Sequence, residues 1–179
     1  MTVVIDGTTG ADTIADGAVS TAAKLASGVV TPVKTQVGAL PSMVRLHTGN
    51  GCRATNTAIK RFTTTVLNQG TDITYADSAT LGATFTINTA GVYAITFSHT
   101  STGSSYGGLS LNSTQLTTNI QSITAADRLA ASQMGGAELP TVTAWTGYLA
   151  AASVIRPHTD GSLDSSVPAR ENFTITRVA

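Results

Sequence analysis

Histidines and paired carboxylates are the side chains best suited to catalysis or metal binding, and this chain spaces them poorly for either. Its three histidines, His47, His99 and His158, are far apart and lie in or beside presumed loops. A metal site needs several converging ligands with supporting hydrogen bonds, so the histidines read as exposed or hydrogen-bonded polar residues. Asp72 and Asp77 flank Tyr75, and Asp160 and Asp164 share the 157–169 segment. Such pairs can hold calcium or serve as glycosidase acid and base; turn and Asx-capping roles account for them at least as well. Gly49-Asn50-Gly51 lacks the helix start and Lys-Ser/Thr of a phosphate loop. Ser104-Ser105 does not sit in a nucleophile elbow. Cys52 is the single cysteine, unable to form an intrachain disulfide, and reads as a small structural residue. No catalytic constellation results, and neither a cofactor nor a metal is expected.

Composition narrows the partners. Net charge is zero and only 11% of residues are charged, so no basic face offers itself to nucleic acid. Glutamate is limited to Glu138 and Glu171 and lysine to Lys24, Lys34 and Lys60, while threonine is abundant. Strand formers therefore outweigh helix formers. Low charge beside 41% hydrophobic residues suits a chain that covers part of its surface with copies of itself. The N-terminus lacks a secretory pattern and no stretch approaches a membrane span. Synthesis in a host cytoplasm without membrane insertion is the expectation.

Two regions differ in pattern. Residues 1–41 contain no aromatic residue. Within them Ile14, Ala18, Ala22, Leu25 and Val29 recur at helical spacing, with Asp16 as a candidate cap and Gly28 as a stop. Ile14, Val19, Leu25 and Val29 are the candidate anchoring residues, with a flexible leader as the alternative. Pro32, Gly38 and Pro41 make a linker. Residues 42–179 form a second region of short β segments, expected near 43–47, 58–67, 83–88, 91–100, 107–111, 115–121, 142–151, 153–156 and 171–178. The absence of intervening helical patterns argues for an antiparallel sandwich or jelly roll. Gly91–Phe97 is the clearest segment: Tyr93, Ile95 and Phe97 alternate onto one face behind a glycine turn.

Residues 59–97 resemble the N-terminal half of the C1q/TNF-like head domain. Phe62 opens the pattern and Asn68-Gln69-Gly70 supplies its turn. Tyr75, Phe85, Gly91, Tyr93 and Phe97 complete it, with Ile95 where an aromatic is usual. Trp145–Leu149 and Ala152–Pro157 resemble the penultimate strands, with Ala152-Ser153 replacing the usual Gly-Asp; Phe173–Val178 resembles the closing strand. The resemblance implies an all-β, antiparallel jelly roll assembling as a homotrimer. Phe62, Phe85, Tyr93, Ile95, Phe97, Phe173 and Ile175 are expected in its core. Trp145 and Tyr148 are candidates for either the core or the three-fold interface.

Versions of this family with Thr-rich strands, little charge and a short leader are typical of phage virions. The expected role is a structural virion protein, held by its N-terminal arm to other virion proteins and projecting a head that attaches to a host glycan or protein. Ser104, Tyr106, His158 and Asp160, in the 101–107 and 157–169 loops, are the candidate contacts. The alternative is a capsid-decorating or cement trimer, favoured by the brevity of the chain. A small carbohydrate-processing enzyme on the same scaffold is a third reading.

Overall fold

A computed structural model describes residues 41–47, 54–101, 103–136, 139–160 and 170–179. The expectations for Ile14, Val19, Leu25, Val29, Gly49–Gly51, Cys52 and Asp164 lie outside the described residues.

Alternating apolar residues produce ten strands among the described residues: β1 (Met43–His47), β2 (Thr64–Gln69), β3 (Ile73–Ala76), β4 (Thr84–Ile87), β5 (Gly91–His99), β6 (Ser105–Leu111), β7 (Arg128–Met134), β8 (Thr141–Leu149), β9 (Val154–Thr159) and β10 (Asn172–Arg177). They form two antiparallel five-stranded sheets, ordered β2-β1-β10-β5-β8 and β3-β4-β9-β6-β7. This is the jelly-roll arrangement, in which a single hydrophobic layer lies between the sheets.

The core follows from the period of two. On β5, Tyr93, Ile95 and Phe97 are buried, and on β10 Phe173 and Ile175 are buried beside them. Phe62 and Phe85 complete the set at no more than 1% exposure, joined by Val44, Leu46, Ile87, Leu109 and Ile155. Phe173 is the hub. Its ring stacks on Phe85 at 4.1 Å and meets Phe62 at 5.7 Å and Phe97 at 6.1 Å. Tyr75 extends the cluster at 5.1 Å from Phe85, and its hydroxyl donates to the Phe62 carbonyl. Each buried ring removes enough apolar area from water to contribute about 1.5–3 kcal/mol.

The sequence-based assignment differs from the structure at several points. Residues 115–121 do not form a strand: they are turns leading into a 3-10 turn at Ile120–Ser122, with Ile120 alone buried in that turn. Their polar run, Gln115 and Thr117–Asn119, satisfies its backbone locally, as where Thr118 N–H donates to Gln115 O. β3 lies in the stretch between the strands expected near 58–67 and 83–88, and β7 in an unassigned stretch; both are edge strands with weak apolar alternation. β6 begins at Ser105 and β9 runs to Thr159, so the loops expected around them are shorter.

Two glycines mark backbone needs. Asn68 and Gln69 belong to β2, paired with Val44 and Met43, so the expected turn begins only at Gly70, at φ +78°, where a Cβ would collide with Ser42. Gly82, at φ +84°, leaves a similar space for Ile59. Ala152 takes the same left-handed conformation, at φ 66°, without being glycine. A left-handed alanine costs about 1–2 kcal/mol, part of which glycine would return as unfolded-state entropy. Ala152→Gly is therefore expected to stabilise the protein by about 0.5–1 kcal/mol and raise Tm by about 2 °C. A thermal melt followed by circular dichroism checks this.

Candidate functional site

Beyond the end of β4, residues Ile59 and Lys60 take its place beside β9: Ile59 bridges His158, and Lys60 N–H donates to Pro157 O at 2.9 Å. The preceding segment, Thr55–Ala58, runs along the surface and is pinned from two sides. Ala58 N–H donates to Leu116 O at 2.7 Å, and Thr159 N–H donates to Ala58 O at 2.9 Å. Thr55, Asn56, Thr57 and Ala58 thus face Thr117 and Asn119 across a cavity of about 220 Å³, with Asp160 completing its lining.

Apart from Ala58, the lining is hydroxyl, amide and carboxylate, with Asp160 its one charged residue among the described residues. Asp160 is held in place. Its Oδ1 accepts from Tyr106 N–H at 2.6 Å, its Oδ2 accepts from Gln121 Nε2 at 3.1 Å, and its own N–H donates to Tyr106 O at 3.0 Å. Each carboxylate oxygen keeps acceptor capacity for a further donor. A pocket of this kind suits a polyhydroxylated ligand: carboxylate oxygens accept from sugar hydroxyls, and side-chain amides both donate and accept.

Tyr106 and Asp160, candidates from separate loops, are therefore neighbours, and Ser104 is exposed two residues away. Tyr106 itself lies on β6 and is half-buried. His158 is not a loop residue. It lies on β9, on the Arg156 face of the strand and not the Ile155 face, and is fully buried because the turns around Thr118 cover that face. Its Nε2 donates to Thr118 O at 2.6 Å and its Nδ1 accepts from Ser110 Oγ at 3.3 Å, which positions the 117–119 wall of the pocket. Asn56, Thr117 and Asn119 were not recognisable from sequence, since polar residues in turns carry no periodic signal.

The other suspected carboxylates serve the structure. Asp72 accepts from Ser42 Oγ at 2.8 Å and lies 3.5 Å from Arg177 Nη1. Hydrogen bonds from Thr89 and Ser42 hold its carboxyl below the usual range. Asp77 receives a bidentate contact from Arg61, 2.6 Å at the shortest. Among the described residues no three His, Cys, Asp or Glu side chains converge as metal ligands, and no helix is long and apolar enough to cross a membrane. Trp145 faces inward and packs against the core, whereas Tyr148 points outward, 67% exposed.

No family model and no curated protein sequence matches the chain. Its fold is similar to the crystal structure of murine APRIL, a TNF-family jelly roll, with a TM-score of 0.51 at 12% identity over 78% of this chain and all of that one. The chain is thus an all-β jelly roll of the C1q/TNF-like fold.

Burial sets a pH dependence. Desolvation, with the Lys60 charge second, lowers His99 to about 4, and desolvation also lowers His158. Both unfolded residues titrate near 6.5. The unfolded chain therefore binds more protons below that value. Stability is complete above pH of about 6.5 and falls, by up to about 1.4 kcal/mol per pH unit for each histidine, as pH drops toward the folded values. Melting temperatures measured from neutral to acid pH should decline over this window, and less steeply in His99→Gln.

Proposed function

We propose that the chain is a non-enzymatic, homotrimeric structural protein of a phage virion. Residues 1–41 would bind other virion proteins, and the 42–179 head would attach to a host surface. One observation carries the self-association: the outer face of the β8-β5-β10 strands has no charged side chain. Register places Val142, Ala144, Thr146 and Tyr148 beside Ser98, Thr96, Ala94 and Val92, with Asn172, Thr174 and Thr176 on the next strand. Val142 is 58% and Tyr148 67% exposed. A solvated sheet face ordinarily carries charges, whereas the centre of a subunit interface is depleted of them and enriched in tyrosine. The low charge of the whole chain and the pattern of its N-terminal region support the virion reading.

Three heads around an axis would present three copies of the Asp160 pocket together, so weak contacts to a surface glycan would gain by avidity. Light scattering should report a trimer at micromolar concentration, and Tyr148→Glu should shift it to monomer; a wild-type monomer overturns the assembly. Asp160→Ala should weaken glycan binding by about 10–100-fold through loss of a charge-assisted hydrogen bond. Antibody labelling of intact particles locates the role. Signal at the tail supports attachment, and signal over the shell supports capsid decoration instead.

A further inference from the structure

The strongest unused chemistry lies at one end of the core. Lys60 and Glu171 are fully buried and in direct contact, Nζ against Oε2. They come from different layers. Lys60 lies beside β9, with its carbonyl accepting from Ala83 N–H, and Glu171 immediately precedes β10 in the opposite sheet. Phe62 and Phe173, two residues beyond each, are at no more than 1% exposure, so the pair has an apolar floor. On the other Glu171 oxygen, Oε1, the buried Thr100 hydroxyl donates at 3.1 Å. His99, adjacent in chain, is fully buried and stacked on Phe97 at 4.6 Å. Neither of its ring nitrogens has a hydrogen-bond partner among the described residues.

We propose that Lys60 and Glu171 condense after folding to an intramolecular amide that staples the two sheets together. Two ions removed from water lose several kcal/mol of hydration each, which their attraction repays only incompletely. Proton transfer from the ammonium to Oε2 discharges both and leaves an amine facing a carboxylic acid. Nζ attacks Cδ, and the carbonyl electron pair moves to Oε1, where Thr100 O–H stabilises it. One amine proton then passes to the Oε2 hydroxyl, the Cδ–Oε2 bond breaks, water leaves, and Oε1 regains the double bond. One N–C bond forms, one C–O bond breaks, and no oxidant or co-reactant is required. His99 is uncharged at neutral pH, as its pKa of about 4 requires, and the Lys60 charge contributes to that lowering. Holding the reactants in contact supplies an effective molarity on the order of 10⁵ M or more.

Intact-mass spectrometry of the purified full chain tests the bond. The wild type should be lighter than its sequence mass by one water, and Lys60→Arg, which retains the buried charge but not the amine nucleophile, should have its full mass. Tryptic digestion should yield Ala54–Arg61 joined to Glu171–Arg177. Wild-type protein of full mass that is cut after Lys60, giving Ala54–Lys60 and a separate Glu171–Arg177, overturns the proposal, as does a water loss that persists in Lys60→Arg. The peptide map of wild type decides the matter even where a variant fails to fold. Thr100→Val should accumulate unlinked chain; a linked fraction equal to that of wild type removes Thr100 from the reaction.

Discussion

Phe173 belongs to the last strand of the chain, yet its ring is where the two sheets meet. β10 lies between β1 and β5, and its partner residues come from positions 43–47 and 93–98. Stacking of Phe173 on Phe85 ties that central strand to the opposite sheet. The closing segment must therefore be in place before the core is dry. Contacts so distant in sequence add loop-closure entropy that must be met before they form, and so slow the folding of this architecture. The remaining strands hang on this junction: β5 aligns β8, β1 aligns β2, and β9 receives β4 and β6 on the far side.

The same closure creates the polar features. Bringing Glu171 to the end of β10 places it against Lys60, whose own position is dictated by the bridge between Ile59 and β9. The two side chains meet there in direct contact, and the Thr100 hydroxyl completes the hydrogen bonding of one Glu171 oxygen. On the other side of the 54–60 segment, the run from Thr55 to Ala58, exposed at Thr55 and Asn56, forms one wall of the Asp160 pocket. One short segment thus faces the core at Lys60 and the solvent at Asn56. His158, hydrogen-bonded to Thr118, steadies the facing wall from within.

Outer surfaces differ in character. The face of β8, β5 and β10 consists of threonine, serine, alanine and valine with Tyr148 and Asn172 among them. The pocket, by contrast, is polar and lined in part by turns. This division suits a head that uses a flat sheet face for its own kind and a loop cluster for other molecules.

The sequence by itself determined the sheet faces. Period-two runs such as Tyr93-Ala94-Ile95-Thr96-Phe97 and Phe173-Thr174-Ile175 admit one buried side only, so strand, core and fold class were legible from them. It also marked Gly70 as a turn residue, since a positive φ favours glycine, while Asn68 and Gln69 beside it belong to β2. Edge strands β3 and β7 escaped notice because a strand paired on one side tolerates mixed polarity. Only the tertiary structure decided which polar residues matter. His158 reads as a loop residue until β9 extends past it, and Asn56, Asn119 and Asp160 are separated by long stretches of chain until Ile59 pairs with β9. Lys60 and Glu171 carry no shared local pattern. Their meeting is a property of how two sheets close on each other, because side-chain chemistry is local while convergence is set by packing.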